Sequence, residues 1–118
     1  MNFHTEKINE VLVLRIDEKR LDTNVASEFK TELLRFVDKD GEKKILVDLK
    51  NVDYVDSSGL GALLFGHRQA KAQSGNLSLV HLNGKIKTLI QIAKLEKILV
   101  GYSTEAEAIN SFTASFRE

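Results

Sequence analysis

The chain has 118 residues, a length that suits one domain and that buries enough surface to hold a hydrophobic core unaided. Its 17 basic and 17 acidic side chains give a formal net charge of zero, which provides no electrostatic case for binding nucleic acid or an anionic membrane. Hydrophobic residues make up 42% and charged residues 29%, a balance that is typical of folded globular domains and argues against disorder.

Cysteine is absent, which excludes disulfides, thiol catalysis and thiolate metal sites. The N-terminus has no basic region followed by an apolar run, so no signal peptide is expected. No apolar stretch approaches the ~20 residues needed to cross a bilayer. The expected location is therefore the cytoplasm. No cofactor is expected, and no two of the three histidines have metal-ligand spacing.

The first third of the chain predicts a β-hairpin followed by an amphipathic helix. Residues 3–8 alternate loosely, and after a polar turn residues 11–16 are rich in aliphatic side chains. Capping residues at 22–24 then begin a helix, and the segment 38–41 ends it, with Gly41 in the left-handed conformation. The apolar positions at helical spacing are Val25, Phe29, Leu33, Phe36 and Val37.

The middle of the chain predicts a buried strand and a second helix. The short apolar run at 44–49 is typical of a central strand covered on both faces. The helix that follows is expected to leave Arg68, Lys71 and Gln73 in solvent and to stop at Ser74-Gly75. Its expected buried face consists of Leu60, Leu63, Leu64 and His67.

The last third predicts a strand, a helix, a brief strand and a final helix. The first strand covers residues 77–82 and is broken by Asn83-Gly84, and the brief strand is expected at 98–100. Ser103-Thr104 cap the final helix, with two glutamates in its first turn. The apolar positions of the two helices are Ile86, Leu89, Ile90 and Ala93, and then Ala106, Ile109, Phe112 and Phe116.

This order of elements predicts an α/β fold. Residues 1–118 contain no repeat or linker and are expected to form a single domain. Alternating strands and helices imply right-handed crossovers and a mostly parallel sheet, to which the opening hairpin adds an antiparallel pair. We therefore expect a mixed, mostly parallel sheet of about five strands with about four packed helices.

The segment Val55-Asp56-Ser57-Ser58-Gly59-Leu60-Gly61 places two hydroxyls and a carboxylate at a strand-to-helix junction. The first turn of a helix has unpaired N–H groups and favours negative charge. The fold would therefore tolerate a phosphate on Ser57, while the surface it presents would change sign. The same residues also suit a simple N-cap cluster, whose glycines allow a helix and a sheet to pack closely, and spacing alone leaves both interpretations open.

This motif, together with the preceding strand and Leu49-Lys50-Asn51-Val52, resembles the signature of the STAS domain. More specifically, it resembles the stand-alone anti-sigma factor antagonists of bacteria, and the similarity extends to the opening strands, the Leu21-Asp22 pair and the C-terminal helix. The resemblance implies that Ser57, directly after Asp56, is phosphorylated by a partner kinase that is also the anti-sigma factor. The unphosphorylated antagonist would bind the kinase and thereby free the sigma factor. The phosphorylated antagonist would release the kinase, and a PP2C-type phosphatase would remove the phosphate.

The resemblance also implies a partner-binding face and a protein that is not itself an enzyme. No direct contact with nucleic acid or membrane is implied. The residues expected at the partner face are Asp22, Thr23, Asp56, Ser57, Ser58, Gly59 and Gly61. Family members commonly carry a glycine before the Leu-Asp pair, whereas this chain has Glu18-Lys19-Arg20, a departure that bears on the first loop and leaves the phosphorylation motif intact.

Other functional classes fit the residues less well. Within the family, the alternative is a constitutive scaffold or transport-complex subunit that is never phosphorylated and in which the motif only serves packing. A hydrolase that uses Ser57 would need a Gly-x-Ser-x-Gly elbow and a positioned histidine, neither of which the sequence provides. Gly59-x-Gly61 is too short for a dinucleotide fingerprint. An aspartate-phosphorylated receiver would need an acidic pair after its first strand, which Asp17-Glu18 only faintly imitates.

Overall fold

A computed structural model describes residues 1–114, in which a five-stranded sheet and a two-stranded sheet are packed against four α-helices. The strands are β1 (Phe3–Ile8), β2 (Val11–Ile16), β3 (Arg20–Leu21), β4 (Lys44–Asp48), β5 (Tyr54–Val55), β6 (Asn76–Val80) and β7 (Gly101–Tyr102). The helices are α1 (Thr23–Leu34), α2 (Ser57–Ala72), α3 (Gly84–Ile92) and α4 (Glu105–Ala114). A π-helical turn, Arg35–Lys39, extends α1.

The five-stranded sheet has the order β1-β2-β4-β6-β7. β1 and β2 form an antiparallel hairpin, and the other neighbours pair in parallel. The hairpin turn places Asn9 and Glu10 at φ values of 48° and 69°, the left-handed conformation that two-residue hairpin turns favour. The predicted mixed, mostly parallel sheet with an opening hairpin is therefore confirmed.

The two faces of this sheet are covered by different helices. Leu12 and Leu14 of β2 pack into the core on the side of α1, α2 and α3, whereas Val11 and Val13 pack on the side of α4. The side chains of β4 divide between the two cores in the same way, which confirms that the apolar run at 44–49 forms a strand buried on both faces.

The predicted strand at 98–100 is wrong. Residues 98 and 99 belong to a turn, in which the N–H of Leu99 donates to the carbonyl of Leu95 at 2.8 Å. The carbonyl of Val100 accepts from the N–H of Leu79 at 2.9 Å, and the strand follows at Gly101–Tyr102. Leu99 is apolar because its side chain, only 1% exposed, anchors this turn in the core. Leu99 is the buried residue of this run, while Ile98 is 42% exposed and Val100 is half-buried, and a short apolar run cannot distinguish such a turn from a strand.

Smaller differences concern the ends of elements. β6 ends at Val80 instead of residue 82, because His81 takes a left-handed conformation with φ of 62° and turns the chain.

In the helix from Leu60, Leu64 is half-buried, while the other predicted core positions are buried. In α4, Ala106 is exposed and Ala108 takes the predicted core place beside Ile109 and Phe112. Phe116 lies outside the described residues.

A polar network fastens α4 to the sheet at the carboxyl end of β4. The carboxylate of Asp48 accepts hydrogen bonds from Arg15 at 2.9 Å, from Nδ1 of His81 at 2.9 Å and from the N–H of Lys50 at 3.0 Å. Arg15 also pairs with Glu105 in the first turn of α4 at 2.8 Å. Burial raises the pKa of Asp48, but these hydrogen bonds outweigh burial and hold the pKa below its usual value. The hydrogen bond from Arg15 likewise lowers the pKa of Glu105.

We expect acid to weaken this network. Both carboxyl groups have a lower pKa in the folded protein, so their stabilisation is complete above the ordinary carboxyl value of ~4 and is lost as the pH falls through the lower folded values. Urea unfolding should therefore give a free energy that is constant above about pH 5 and decreases as the pH falls from about 5 to about 2. Asp48→Asn should lower the free energy of unfolding at neutral pH by about 2 kcal/mol and make the acid dependence shallower.

The control is Asp38→Asn, which replaces an exposed carboxylate of the π-helical turn. It should keep both the stability and the pH dependence of the parent chain. If Asp48→Asn also kept the parental pH profile, the Asp48 network would not be the source of the acid sensitivity.

Candidate functional site

The two-stranded sheet brings the predicted site residues together. β3 pairs in parallel with β5, with Leu21 opposite Val55. Each of these strands leads directly into the N-cap aspartate of a helix, Asp22 for α1 and Asp56 for α2. The parallel register therefore places the starts of the two helices side by side.

Neither of these strands is predicted from the sequence, because two residues are too few to show a periodicity. A signal was nevertheless present in the sequence. Leu21-Asp22-Thr23 and Val55-Asp56-Ser57 share the order apolar residue, aspartate, hydroxyl residue. This repeated order matches two strand-to-helix junctions of the same kind, each capped by its aspartate.

The carboxylate of Asp56 joins the two junctions. Its Oδ1 accepts from the N–H of Gly59 at 2.9 Å, which caps α2, and its Oδ2 lies 3.3 Å from the N–H and 3.4 Å from the Oγ1 of Thr23 at the start of α1. The hydrogen bond from Gly59, supported by those from Thr23, holds the pKa of Asp56 below its usual value. Asp56 is therefore ionised at neutral pH and fastens both helices through one side chain.

The two serines of the motif have different surroundings. Ser57 is the first residue of α2 and is exposed, and its hydroxyl has no hydrogen-bond partner among residues 1–114. Ser58 is half-buried, and its Oγ lies 3.3 Å from the Oγ1 of Thr23. Ser58 therefore helps to hold the helix starts together, whereas the hydroxyl of Ser57 is available to another molecule.

The two glycines of the motif also differ. Gly59 is buried, and a Cβ at this position would lie 2.1 Å from the carbonyl oxygen of Leu21. A Cβ at Gly61 would meet nothing within 4 Å. Gly59 therefore allows the start of α2 to pack on β3 and lies beneath the expected partner face, while Gly61 leaves the surface beside that face open.

A groove of about 440 Å³ adjoins Ser57. One wall consists of β5 and the start of α2, with Tyr54, Asp56 and Ser57, and the other consists of residues of α3. Tyr54 is 41% exposed, and the guanidinium of Arg20 stacks on its ring at 4.4 Å from the centroid. Arg20 belongs to the segment that departs from the family pattern, and here it supports the aromatic wall of the groove by a cation–π contact.

The histidines of the chain lie away from this groove. His67 is buried, with Nδ1 3.4 Å from the carbonyl of Leu77, and burial lowers its pKa. His81 belongs to the Asp48 network, and His4 is exposed on β1.

Among residues 1–114, no group of three or more histidine or acidic side chains is arranged to hold a metal ion. No helix in this part of the chain is both long and apolar enough to cross a membrane.

The fold and the site define a small α/β domain with an exposed serine at a capped helix start. The family model of the STAS domain matches residues 2–108, so the chain belongs to the STAS domain family. A Bordetella bronchiseptica protein whose proposed role is that of an anti-sigma factor antagonist, BtrV, is 33% identical over 90 residues, which are 75% of this chain and 77% of that protein. The predicted membership of the anti-sigma factor antagonist family is thereby supported.

Two solved structures share the fold. The crystal structure of TM1081 from Thermotoga maritima, a protein with the same proposed role, superimposes with a TM-score of 0.83 at 24% identity and covers 94% of each chain. The structure of SpoIIAA, a Bacillus cell fate determinant, in its phosphorylated form gives a TM-score of 0.71 at 22% identity and covers 93% of this chain and 98% of that one. These similarities confirm the α/β fold predicted from the sequence.

The different roles of the two glycines can be tested by adding one methyl group to each. Gly59→Ala should lower the free energy of unfolding by about 2–4 kcal/mol, because the new Cβ meets the backbone carbonyl of Leu21, which cannot move without shifting β3. Gly61→Ala should leave stability unchanged or raise it by up to about 1 kcal/mol, because alanine favours a helix and the space is open. Urea unfolding measures both, and equal effects would contradict the packing role of Gly59.

Proposed function

We propose that this chain is an anti-sigma factor antagonist that works as a partner-switching regulator. In this proposal the unphosphorylated chain binds an anti-sigma factor that is also a serine kinase, and phosphorylation of Ser57 releases it. A PP2C-type phosphatase would restore the binding form. The chain is then a substrate and not a catalyst, and it acts in the cytoplasm, where the kinase has ATP.

The observation that carries this proposal is the free hydroxyl of Ser57 at the first position of α2. A kinase must reach a hydroxyl that the fold does not use, and Ser57 meets that condition while Ser58 is half-buried and bonded to Thr23. A helix start also tolerates a dianion, and the carboxylate of the N-cap Asp56 beside it is already engaged by hydrogen bonds from Gly59 and Thr23. Phosphorylation is therefore compatible with the folded chain.

Phosphate at Ser57 would change the charge of a surface that is otherwise fixed. The hydrogen bonds between Asp56 and Thr23 hold the starts of α1 and α2 as one unit, so a partner that contacts Ser57 also meets Thr23 and Asp22. A phosphoserine adds about two negative charges beside the existing carboxylates of Asp56 and Asp22. A partner surface that fits the neutral hydroxyl would then meet a strongly negative one, which favours release.

Similar proteins support the proposed function as an anti-sigma factor antagonist. BtrV carries the proposed role of an anti-sigma factor antagonist, and SpoIIAA has a structure in a phosphorylated form. The hydrolase hypothesis has no comparable support, since no histidine lines the groove beside Ser57. The scaffold alternative requires that Ser57 is never modified, and the first experiment below separates it from the switch.

We expect a kinase to add one phosphate to Ser57. The chain is incubated with ATP and each candidate host kinase, and its intact mass is measured. The parent chain and Ser58→Ala should each gain the mass of one phosphate, whereas Ser57→Ala should gain none, because of the two motif serines it is Ser57 whose hydroxyl has no partner among residues 1–114, while that of Ser58 is bonded to Thr23. A gain that survived Ser57→Ala, or no gain with any kinase that binds the chain, would count against the switch and favour the scaffold.

Negative charge at position 57 should weaken binding to the kinase without affecting the fold. Ser57→Asp is expected to bind at least about tenfold more weakly than Ser57→Ala, because a carboxylate at the centre of an interface must be desolvated. Isothermal titration calorimetry measures both affinities, and unfolding in urea checks that the two variants are equally stable. Equal affinities would show that charge at this site does not control partner binding.

A further inference from the structure

The groove beside Ser57 is lined by a cation, Lys85, that forms no ion pair with the part of the chain that the structure describes. Lys85 lies in the first turn of α3 and lines the same groove as Ser57 and Asp56. Its side chain is exposed, and it takes part in no ion pair among residues 1–114. The two helices that flank the groove therefore place a nucleophilic hydroxyl and a free ammonium group on opposite walls of one cleft.

The position of Lys85 is not explained by the stability of α3. A cation in the first turn of a helix is repelled by the helix dipole, whose positive end lies there. The helix start is already capped, because Oδ1 of Asn83 accepts from the N–H of Ile86 at 2.9 Å. The charge of Lys85 is therefore unfavourable for the start of its own helix, and the residue lines the groove beside Ser57.

The two opposite charges that line this groove form no ion pair with each other. Asp56 and Lys85 are its charged lining residues, and Tyr54 contributes a neutral ring. Both oxygens of Asp56 already accept hydrogen bonds from the starts of α1 and α2, through Thr23 and Gly59. Among residues 1–114, no carboxylate therefore pairs with Lys85, and a phosphate on Ser57 would supply an anion beside it.

We propose that Lys85 is the internal counter-ion of phosphorylated Ser57. Its ammonium group pairs with the phosphate across the groove and offsets part of the new negative charge. This inference rests on the proposed phosphorylation of Ser57 and adds the group within the chain that responds to it. Pairing also links α2 to α3 across the groove, so a partner would lose access to Lys85 and to the groove walls in addition to meeting a phosphate.

The test uses the full chain with phosphoserine installed at position 57 by genetic encoding, so that no kinase is needed. A ³¹P NMR titration gives the second pKa of the phosphate. Lys85 favours the dianion, so Lys85→Gln should raise this pKa by about 0.5 unit, the shift expected for opposite charges about 6 Å apart in a solvent-like environment. Lys85→Arg keeps the positive charge and should retain the parental pKa.

Lys87→Gln is the matched control. Lys87 lies on the same helix and is equally exposed, but it lines a different groove, beside Leu82 and Ile90. Its removal should leave the phosphate pKa unchanged. An unchanged pKa in Lys85→Gln, or an equal rise in Lys87→Gln, would overturn the inference.

The two proposals fail in different ways. If no kinase phosphorylates Ser57, the proposed function is contradicted, but the titration of the encoded phosphoserine still measures its pairing with Lys85. If the kinase phosphorylates Ser57 and the titration shows no dependence on Lys85, the switch stands and the counter-ion is rejected.

Discussion

The structure of the site depends on one carboxylate, that of Asp56. It caps its own helix through Gly59 and reaches across to the N–H and hydroxyl of Thr23, so two helix starts that are far apart in the chain become a single surface. The short pairing of β3 with β5 makes this contact possible by bringing Leu21 opposite Val55. The close approach needs Gly59, because any side chain there would meet the carbonyl of Leu21. Sheet pairing, close packing and capping therefore act together at this junction.

A second aspartate has a comparable role on the other face of the sheet. Asp48 lies opposite Arg15 in the register of β2 and β4, and through Arg15 it connects the sheet to Glu105 of α4. Both aspartates accept several hydrogen bonds and are held in the ionised form. They differ in what lies beside them. Asp48 is nearly buried and its contacts hold α4 in place, whereas Asp56 borders an exposed hydroxyl that the fold does not use.

The sequence predicted the long elements because burial imposes a pattern on each that spans enough residues to be seen. The four helices repeat apolar residues at helical spacing, and the second strand of the hairpin and the strand at 44–49 are apolar runs. The two-residue strands β3 and β5 are too short to show such a pattern, and their pairing joins Arg20 to Tyr54, which no local pattern reveals. The run at 98–100 predicted a strand that is not there, because its buried residue, Leu99, anchors a turn. The motif predicted the helix start at Ser57. The sequence does not show that Thr23 contacts Asp56 or that Lys85 lines the groove beside Ser57, because both depend on the folded structure.

In the proposed switch, the modified group must make no contact that the fold needs. The residues of the motif differ in this respect. Asp56, Ser58 and Gly59 all make contacts on which the helix starts depend. Ser57 lies among them, and its hydroxyl makes no hydrogen bond within residues 1–114. A phosphate can therefore be added without breaking a hydrogen bond of the fold. In the proposed switch, the phosphate would lie beside the groove that Lys85 lines from α3. Because the hydrogen bonds of Asp56 hold the two helix starts together, the change would be confined to the charge of the surface, and a partner would distinguish the two forms by that charge.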